Sequence, residues 1–522
     1  MASFSKVEIR PRRSMLFYAV LSIFMVVASY LFVLLLAAAC VYLPFLLLIS
    51  SKSGNFQILI LFLFGIVVAA TMVWSLLPRP EKFKSPGLLL ERSGQPRLFA
   101  ELETIASSLG EPMPREVYLI GDVNAWVADM GGFMGFGSRR VMGLGLPLIS
   151  ILTVSQFRAV VAHEFAHYYG GDTRLGPWVY RTQSAIVRAF QNIGSVGVLV
   201  RFAILGVMYS IVTALMNWYF VLFLRAINLV SRKKEYRADE LACLVAGREP
   251  LIDGLRAIQG SAPAWPVFWN TELQPMIGDG IVPGIAEGFA RFVSVPEIRD
   301  QIETGLAREL QEAKTSPYDS HPPLKERIAA VQSLPEGFVQ EDSKPARSLL
   351  DRPELAELRF LECMNPKLQP GSLKSITWDI VGDNVTIPNW KQYVGEYSTL
   401  LRGVTVESLP NHIPNLRNLG FDIRDPKGML LSPEQRTDRA ANLFSVGLGL
   451  ALLDHGWSLY QGPGTFYLNR NGDRLNPFAI IEQLRSGTLS GSNWQKQCRE
   501  LGIAELALQP TVSTVQGSGD AH

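Results

Sequence analysis

The chain contains no CxxC pair. Its four cysteines, Cys40, Cys243, Cys363 and Cys498, lie far apart, which indicates neither a thiolate zinc site nor a disulfide framework. Excess charge of either sign is also missing. A formal net charge of +2 leaves no strongly basic face, so nucleic acid is not expected as a partner. Charge is absent locally as well: residues 15–50 carry no charged side chain, and after the polar break Ser51-Lys52-Ser53-Gly54-Asn55 a second uncharged run covers 56–78. Each run reaches the ~20 residues that a bilayer-spanning helix needs. Residues 15–78 therefore read as a transmembrane hairpin in a lipid bilayer. The first run exceeds one span, so it must tilt, kink near Pro44 or protrude. A cleaved signal peptide ending at Ala37-Ala38-Ala39 is the competing reading, but an h-region is only about 7–15 residues long and this apolar run continues past that site.

The basic residues that are present set an orientation. Lys6, Arg10, Arg12 and Arg13 precede the first run and Arg79, Lys82, Lys84 and Arg92 follow the second, whereas Lys52 alone lies between them. Both ends of the hairpin, and the chain beyond it, are expected on the cytoplasmic side of a cell or inner membrane.

Beyond the hairpin the most informative stretch is His163-Glu164-Phe165-Ala166-His167, which fits HExxH. On a helix, residues four apart share a face, so His163 and His167 can hold one metal ion from adjacent turns. Two imidazoles suit Zn²⁺, one per chain, and Glu164 stands beside them as a general base for water. Ser155 is the expected N-cap of this helix and Gly170-Gly171 its stop. A further carboxylate ligand is needed from a second helix. Ser231-Arg232-Lys233-Lys234-Glu235-Tyr236-Arg237-Ala238-Asp239 supplies it: Glu235 and Asp239 share a face, Glu235 to ligate and Asp239 to accept a hydrogen bond from a ligand histidine. Taken alone, the same segment reads as a solvated charged face; HEFAH changes that reading. If Glu235 joins His163 and His167, the uncharged stretch 202–224 cannot be a single crossing. Helices that pack on the catalytic core and lie in or dip into the membrane interface are expected there, with wholly buried core helices as the alternative.

The remaining chain reads as α+β. Residues 81–95 look like a Pro/Gly-punctuated linker and 96–109 have helical spacing. Residues 116–120 look like a strand, and 124–128 and 140–145 like two strands joined by a glycine-rich loop. The expected divisions are a basic tail 1–14, the hairpin 15–78, a mainly helical catalytic domain with a small sheet over 79–335, a linker 336–348, a separate α+β domain 349–510 and a tail 511–522. In the last domain Ser432-Pro433-Glu434 starts a helix, Gly456 stops one, and a hairpin turns around Gln461-Gly462-Pro463-Gly464.

A third segment, Tyr318-Asp319-Ser320-His321-Pro322-Pro323-Leu324-Lys325-Glu326-Arg327, completes an ordered set with HEFAH and SRKKEYRAD. Over about residues 96–334 this set resembles the M48 family of membrane zinc metallopeptidases, gluzincins that include HtpX-type quality-control proteases and CAAX prenyl-protein proteases. The resemblance implies zinc held by His163, His167 and Glu235, with Glu164 as general base. It also implies polypeptide substrates, membrane or misfolded proteins, bound by strand addition at Asn124-Ala125. His321 would lie near the cleft, placed to stabilise an oxyanion. Two clear spans cannot build the many-helix chamber of the prenyl proteases, and HtpX-type proteins lack a counterpart of 349–509. The rival from another class is a membrane-anchored scaffold with a structural zinc; three protein ligands with an open position favour the enzyme.

Overall fold

The computed structural model describes residues 13–51, 56–77, 83–131, 137–168, 176–197, 203–313, 316, 319, 321–335, 341–369, 371–423 and 432–509. The basic residues Lys6, Arg10, Arg12, Arg79 and Lys82, the Gly170-Gly171 stop, most of the 131–137 loop and the tail 511–522 fall outside these.

Two long apolar helices open the chain, α1 (Arg13–Ser50), which runs through Pro44, and α2 (Phe56–Leu76). They approach closely because Gly65 has no side chain: a Cβ there would lie 2.1 Å from the carbonyl oxygen of Cys40. Later helices join them, α6 (Gly176–Val196) and α7 (Ala203–Ala246). The Met208 side chain lies beside Gly65, and further along α7 the Tyr219 hydroxyl shares a 2.9 Å hydrogen bond with Ser29 while its ring stacks on Phe32. Thus α7 runs antiparallel to α1. On α6, Arg188 donates to the Ser75 carbonyl (3.2 Å) and Asn192 to the Ser75 hydroxyl (2.8 Å), satisfying the C-terminal end of α2. Gly197, just past α6, meets the Tyr209 ring of α7, so the two helices form a hairpin laid along the first.

This corrects the expectation for 202–224. The described part of that stretch, 203–224, is the first half of α7, one helix that continues unbroken to Glu235 and Asp239. Three helices among the described residues are long and apolar enough to cross a membrane, within α1, α2 and α7.

The sheet comes next, with strand order β1-β2-β4-β3: β1 (Leu88–Leu90), β2 (Glu116–Ile120), β3 (Ala125–Met130) and β4 (Arg139–Gly145). β3 and β4 are antiparallel, as their glycine-linked sequences suggest, whereas β4 lies parallel to β2, which leaves β3 at one edge. β1, at the other edge, lies within the expected 81–95 linker; Gly87 admits it, since a Cβ there would lie 2.1 Å from the Leu119 carbonyl oxygen. Helix α3 (Pro96–Leu109) buries Leu98, Leu102, Ile105 and Leu109 at helical spacing.

After α4 (Leu146–Ile151) comes α5 (Val154–Ala166), which carries HEFAH. Its cap is Thr153, not Ser155: Thr153 and Gln156 exchange side-chain-to-backbone hydrogen bonds in a capping box, and the Ser155 hydroxyl accepts from the Asp342 amide instead. Helix α8 (Arg248–Ser261) packs on α5, and α9 (Leu324–Gln332) packs on α7 and α8.

The chain divides into two compact units, Met1–Pro266 with Arg299–Pro370, and Val267–Ile298 with Gly371–His522. The boundary expected at 349 is displaced, because Lys344 and Ala346 bond to the residues around the start of α5 and a further helix, α10 (Pro353–Met364), stays with the first unit. The second unit is not a plain C-terminal segment. It takes in Val267–Ile298, whose strand Ile281–Pro283 pairs with Lys374–Ile376 and whose Gly284 carbonyl accepts from the Trp378 indole (2.7 Å). Its larger core surrounds the helix Pro433–Asp454, started by Ser432 in a capping box, and includes Trp390, Phe444, Trp457 and Trp494. The expected hairpin is present as Ser458–Gly462 and Thr465–Arg470, with a third strand Asp473–Leu475.

Candidate metal centre

Helices α5 and α7 lie side by side, and their packing brings the chemistry-bearing residues together. His163 is buried on α5, and His167 is the C-cap one turn on, with the ring centroids 4.7 Å apart. From α7, Glu235 sets Oε2 at 3.4 Å from His163 Nε2 and Oε1 at 3.4 Å from His167 Nε2. The ligating atoms of His163, Glu164 and His167 all fall within 4.8 Å of one another. Asp239, fully buried, faces His163 Nδ1 at 2.9 Å, which turns Nε2 of that ring toward Glu235.

Do these residues fit a metal ion? Zinc bonds of ~2.0–2.1 Å in a tetrahedron separate neighbouring ligand atoms by about 3.4 Å, the spacing found here. Glu235 Oε2 is buried, yet it makes no hydrogen bond among the described residues, although His321 Nδ1 stands at 3.0 Å. An unsatisfied carboxylate oxygen between imidazoles is what a cation would complete. The electrostatics agree. Burial and Arg327 push the His163 imidazolium down, but Asp239 and Glu235 more than offset them and raise it to about 9, so this space favours a cation. Burial and the neighbouring His163 push His167 down to about 3, keeping its ring neutral, the form that ligates. Burial, with the Glu235 charge adding to it, lifts Glu164 to about 7 against the opposing pull of His163 and Arg327.

The structure also supplies a residue without an assigned role in the sequence. Arg327 of α9 is buried and makes a bidentate pair with Asp239, Nη2 to Oδ1 at 2.6 Å and Nε to Oδ2 at 2.9 Å; its Nη2 lies 3.4 Å from each nitrogen of His163. The signal was available: Leu324, Arg327, Ile328 and Val331 are the buried face of α9, so one arginine interrupts an otherwise apolar stripe. His321 stands at the same carboxylate with its side chain largely exposed, two residues before Pro323, the N-cap of α9. Asn124 and Ala125 lie where edge strand β3 begins; Asn124 Oδ1 accepts from the Ala125 amide at 2.9 Å, so that side chain is satisfied locally.

A His-Glu-His cluster on α5, packed against a helix whose first half is long and apolar enough to cross a membrane, in a chain whose relatives are proteases, defines a membrane metalloprotease. The profile of Peptidase family M48 matches residues 92–334. Protease HtpX of Pseudomonas fluorescens strain Pf-5 is 30% identical over 214 residues, covering 40% of this chain and 69% of the relative. Protease HtpX of strain Pf0-1 of the same species is 30% identical over 242 residues, 45% of this chain and 70% of the relative. A Protease HtpX homolog of Chlorobium phaeobacteroides strain DSM 266 is 26% identical over 249 residues, 44% and 68%. No solved structure matches significantly. The chain belongs to peptidase family M48, as an HtpX-like member.

Proposed function

We propose that this protein is a zinc-dependent endopeptidase that cuts membrane or misfolded proteins at the cytoplasmic face of the membrane. The observation that carries the reading is the pair of 3.4 Å spacings from Glu235 to the two histidines, Oε2 to His163 and Oε1 to His167, with Oε2 buried and lacking a hydrogen bond among the described residues. His163, His167 and Glu235 would hold the ion, which when bound supplies Lewis acidity to the scissile carbonyl and to water. The chain's own residues do the rest. Asp239 fixes the His163 ring through Nδ1, and Arg327 fixes Asp239. Glu164 takes a proton from the attacking water and passes it to the departing amine, a role suited to a carboxylate raised to about 7. An extended substrate adds to the β3 edge at Asn124-Ala125, and the exposed His321 is placed for the developing oxyanion.

The test separates metal binding from chemistry. Purified Glu164→Gln protein is expected to keep its zinc and to lose casein cleavage by roughly 10²–10⁴-fold, whereas His163→Ala loses both. Undiminished cleavage by Glu164→Gln rules out the assigned base.

A further inference from the structure

A cavity of about 780 Å³ lies between β1 and α10, and no residue of the metal centre lines it. Its walls are unusual in combination. Among the described residues β1 is a free edge, paired on one side only with β2, and all three of its residues line the cavity. A free strand edge offers alternating backbone donors and acceptors to an added strand. The facing helix α10 is held to the first unit by buried Ala356, Phe360 and Leu361. Between strand and helix, Leu89 and Leu355 present apolar surface, 47% and 41% exposed.

One end of this groove is rigidly built. Gln95 donates to the Asp351 carbonyl (2.8 Å) and accepts from the Asp351 amide (2.7 Å), while Arg97 bonds the Asp351 carboxylate (2.7 Å) and the Leu350 carbonyl (2.8 Å). Arg97 and Asp351 therefore neutralise one another. Two more arginines line the cavity, Arg352 and Arg359, both exposed and neither with a side-chain hydrogen bond or ion pair among the described residues. Glu91 is the one other carboxylate in the lining. Arg352 also sits at φ 51°, a left-handed conformation costly for a residue with a Cβ, and glycine would occupy it without strain.

We propose that this groove is a docking site for an extended peptide segment bearing a carboxylate. The segment adds as a strand to the free edge of β1, covers Leu89 and Leu355, and brings its carboxylate to the guanidinium groups of Arg352 and Arg359. The charge argues for the occupant: two unpaired guanidiniums beside a strand edge fit a carboxylate-bearing strand and not a neutral or basic one. β1 and β3 are opposite edges of one sheet, so a segment held here leaves the β3 edge open. A long polypeptide tethered at β1 would have its local concentration raised at the rest of the unit. Docking at β1 does not depend on the metal chemistry.

The test uses full-length Glu164→Gln protein in nanodiscs and two fluorescein-labelled decapeptides of alternating valine and threonine. One ends in Asp-Asp with a free carboxylate; the other ends in Asn-Asn amide. The acidic probe is expected to bind at least about fivefold more tightly, to weaken with added salt, and to slow backbone amide exchange across 88–90. Arg352→Gly with Arg359→Ala should cost about fivefold or more in affinity. Arg352→Gly alone should weaken binding while leaving the thermal midpoint no lower, which separates docking from folding. Equal binding of the two probes, no binding of the acidic one, unchanged exchange at 88–90 under saturation, or protection confined to 125–130 each overturns the proposal.

Discussion

Arg327 places a fixed positive charge beside residues proposed to hold a cation, and the charge count explains why. Glu164, Glu235 and Asp239 bring three carboxylates into one small volume. A guanidinium bound to Asp239 and 3.8 Å from Glu235 Oε2 makes that crowding tolerable. Removing it strands Asp239 in the interior. Arg327→Ala is expected to destabilise the protein by roughly 3–5 kcal/mol and to lower its zinc content. Arg327→Lys keeps the charge but not the bidentate geometry, so it should fall between wild type and alanine. Thermal unfolding with metal analysis of the purified variants checks both. At this scale the meeting of His163, His167, Glu235 and Asp239 is legible in the sequence, because side chains four apart on a helix share a face and each pair has that spacing. Arg327 is harder to read, because a charged residue in a charged segment reads as solvated unless the apolar stripe of Leu324, Ile328 and Val331 around it is traced.

At the scale of elements, α7 connects the apolar bundle to the metal centre as one helix, with Tyr219 against Ser29 and Phe32, and Glu235 further along. Charge patterning divides this stretch into an apolar half and a polar half, which is why the sequence suggests two elements. Nothing in it breaks a helix, since neither proline nor glycine interrupts 207–246. β1 was hidden for a different reason. Three leucines show no alternation, and their pairing depends on Gly87 passing close to Leu119, a long-range contact. Close approach also governs the bundle. Gly65→Val would force the new side chain against the Cys40 carbonyl and part α1 from α2. The expected result is faster thermal inactivation in detergent, with zinc stoichiometry kept in protein that remains folded. Inactivation at the wild-type rate would show that the contact is dispensable.

Over the whole molecule, the second unit shows the limit of reading domains from composition. The polar stretch near 340 looks like a linker, yet its described part bonds to the start of α5, and the second unit recruits Val267–Ile298 from earlier in the chain. Such discontinuity rests on long-range contacts, the pairing of two three-residue strands and the Trp378 indole on the Gly284 carbonyl, which composition does not reveal. Orientation can be tested on the intact protein. Cys363 is exposed whereas Cys40, Cys243 and Cys498 are buried, so an impermeant maleimide should label the protein in inside-out vesicles and leave it unlabelled in right-side-out ones. The reverse pattern would place the first unit on the other side. The central claim is zinc-dependent peptide hydrolysis, and metal removal addresses it most directly: casein cleavage by the purified full-length protein, followed together with bound zinc before chelation, after it, and after zinc is returned. The account expects one zinc per chain, cleavage lost with the metal and restored by it. Full cleavage by protein shown to contain no metal would contradict it.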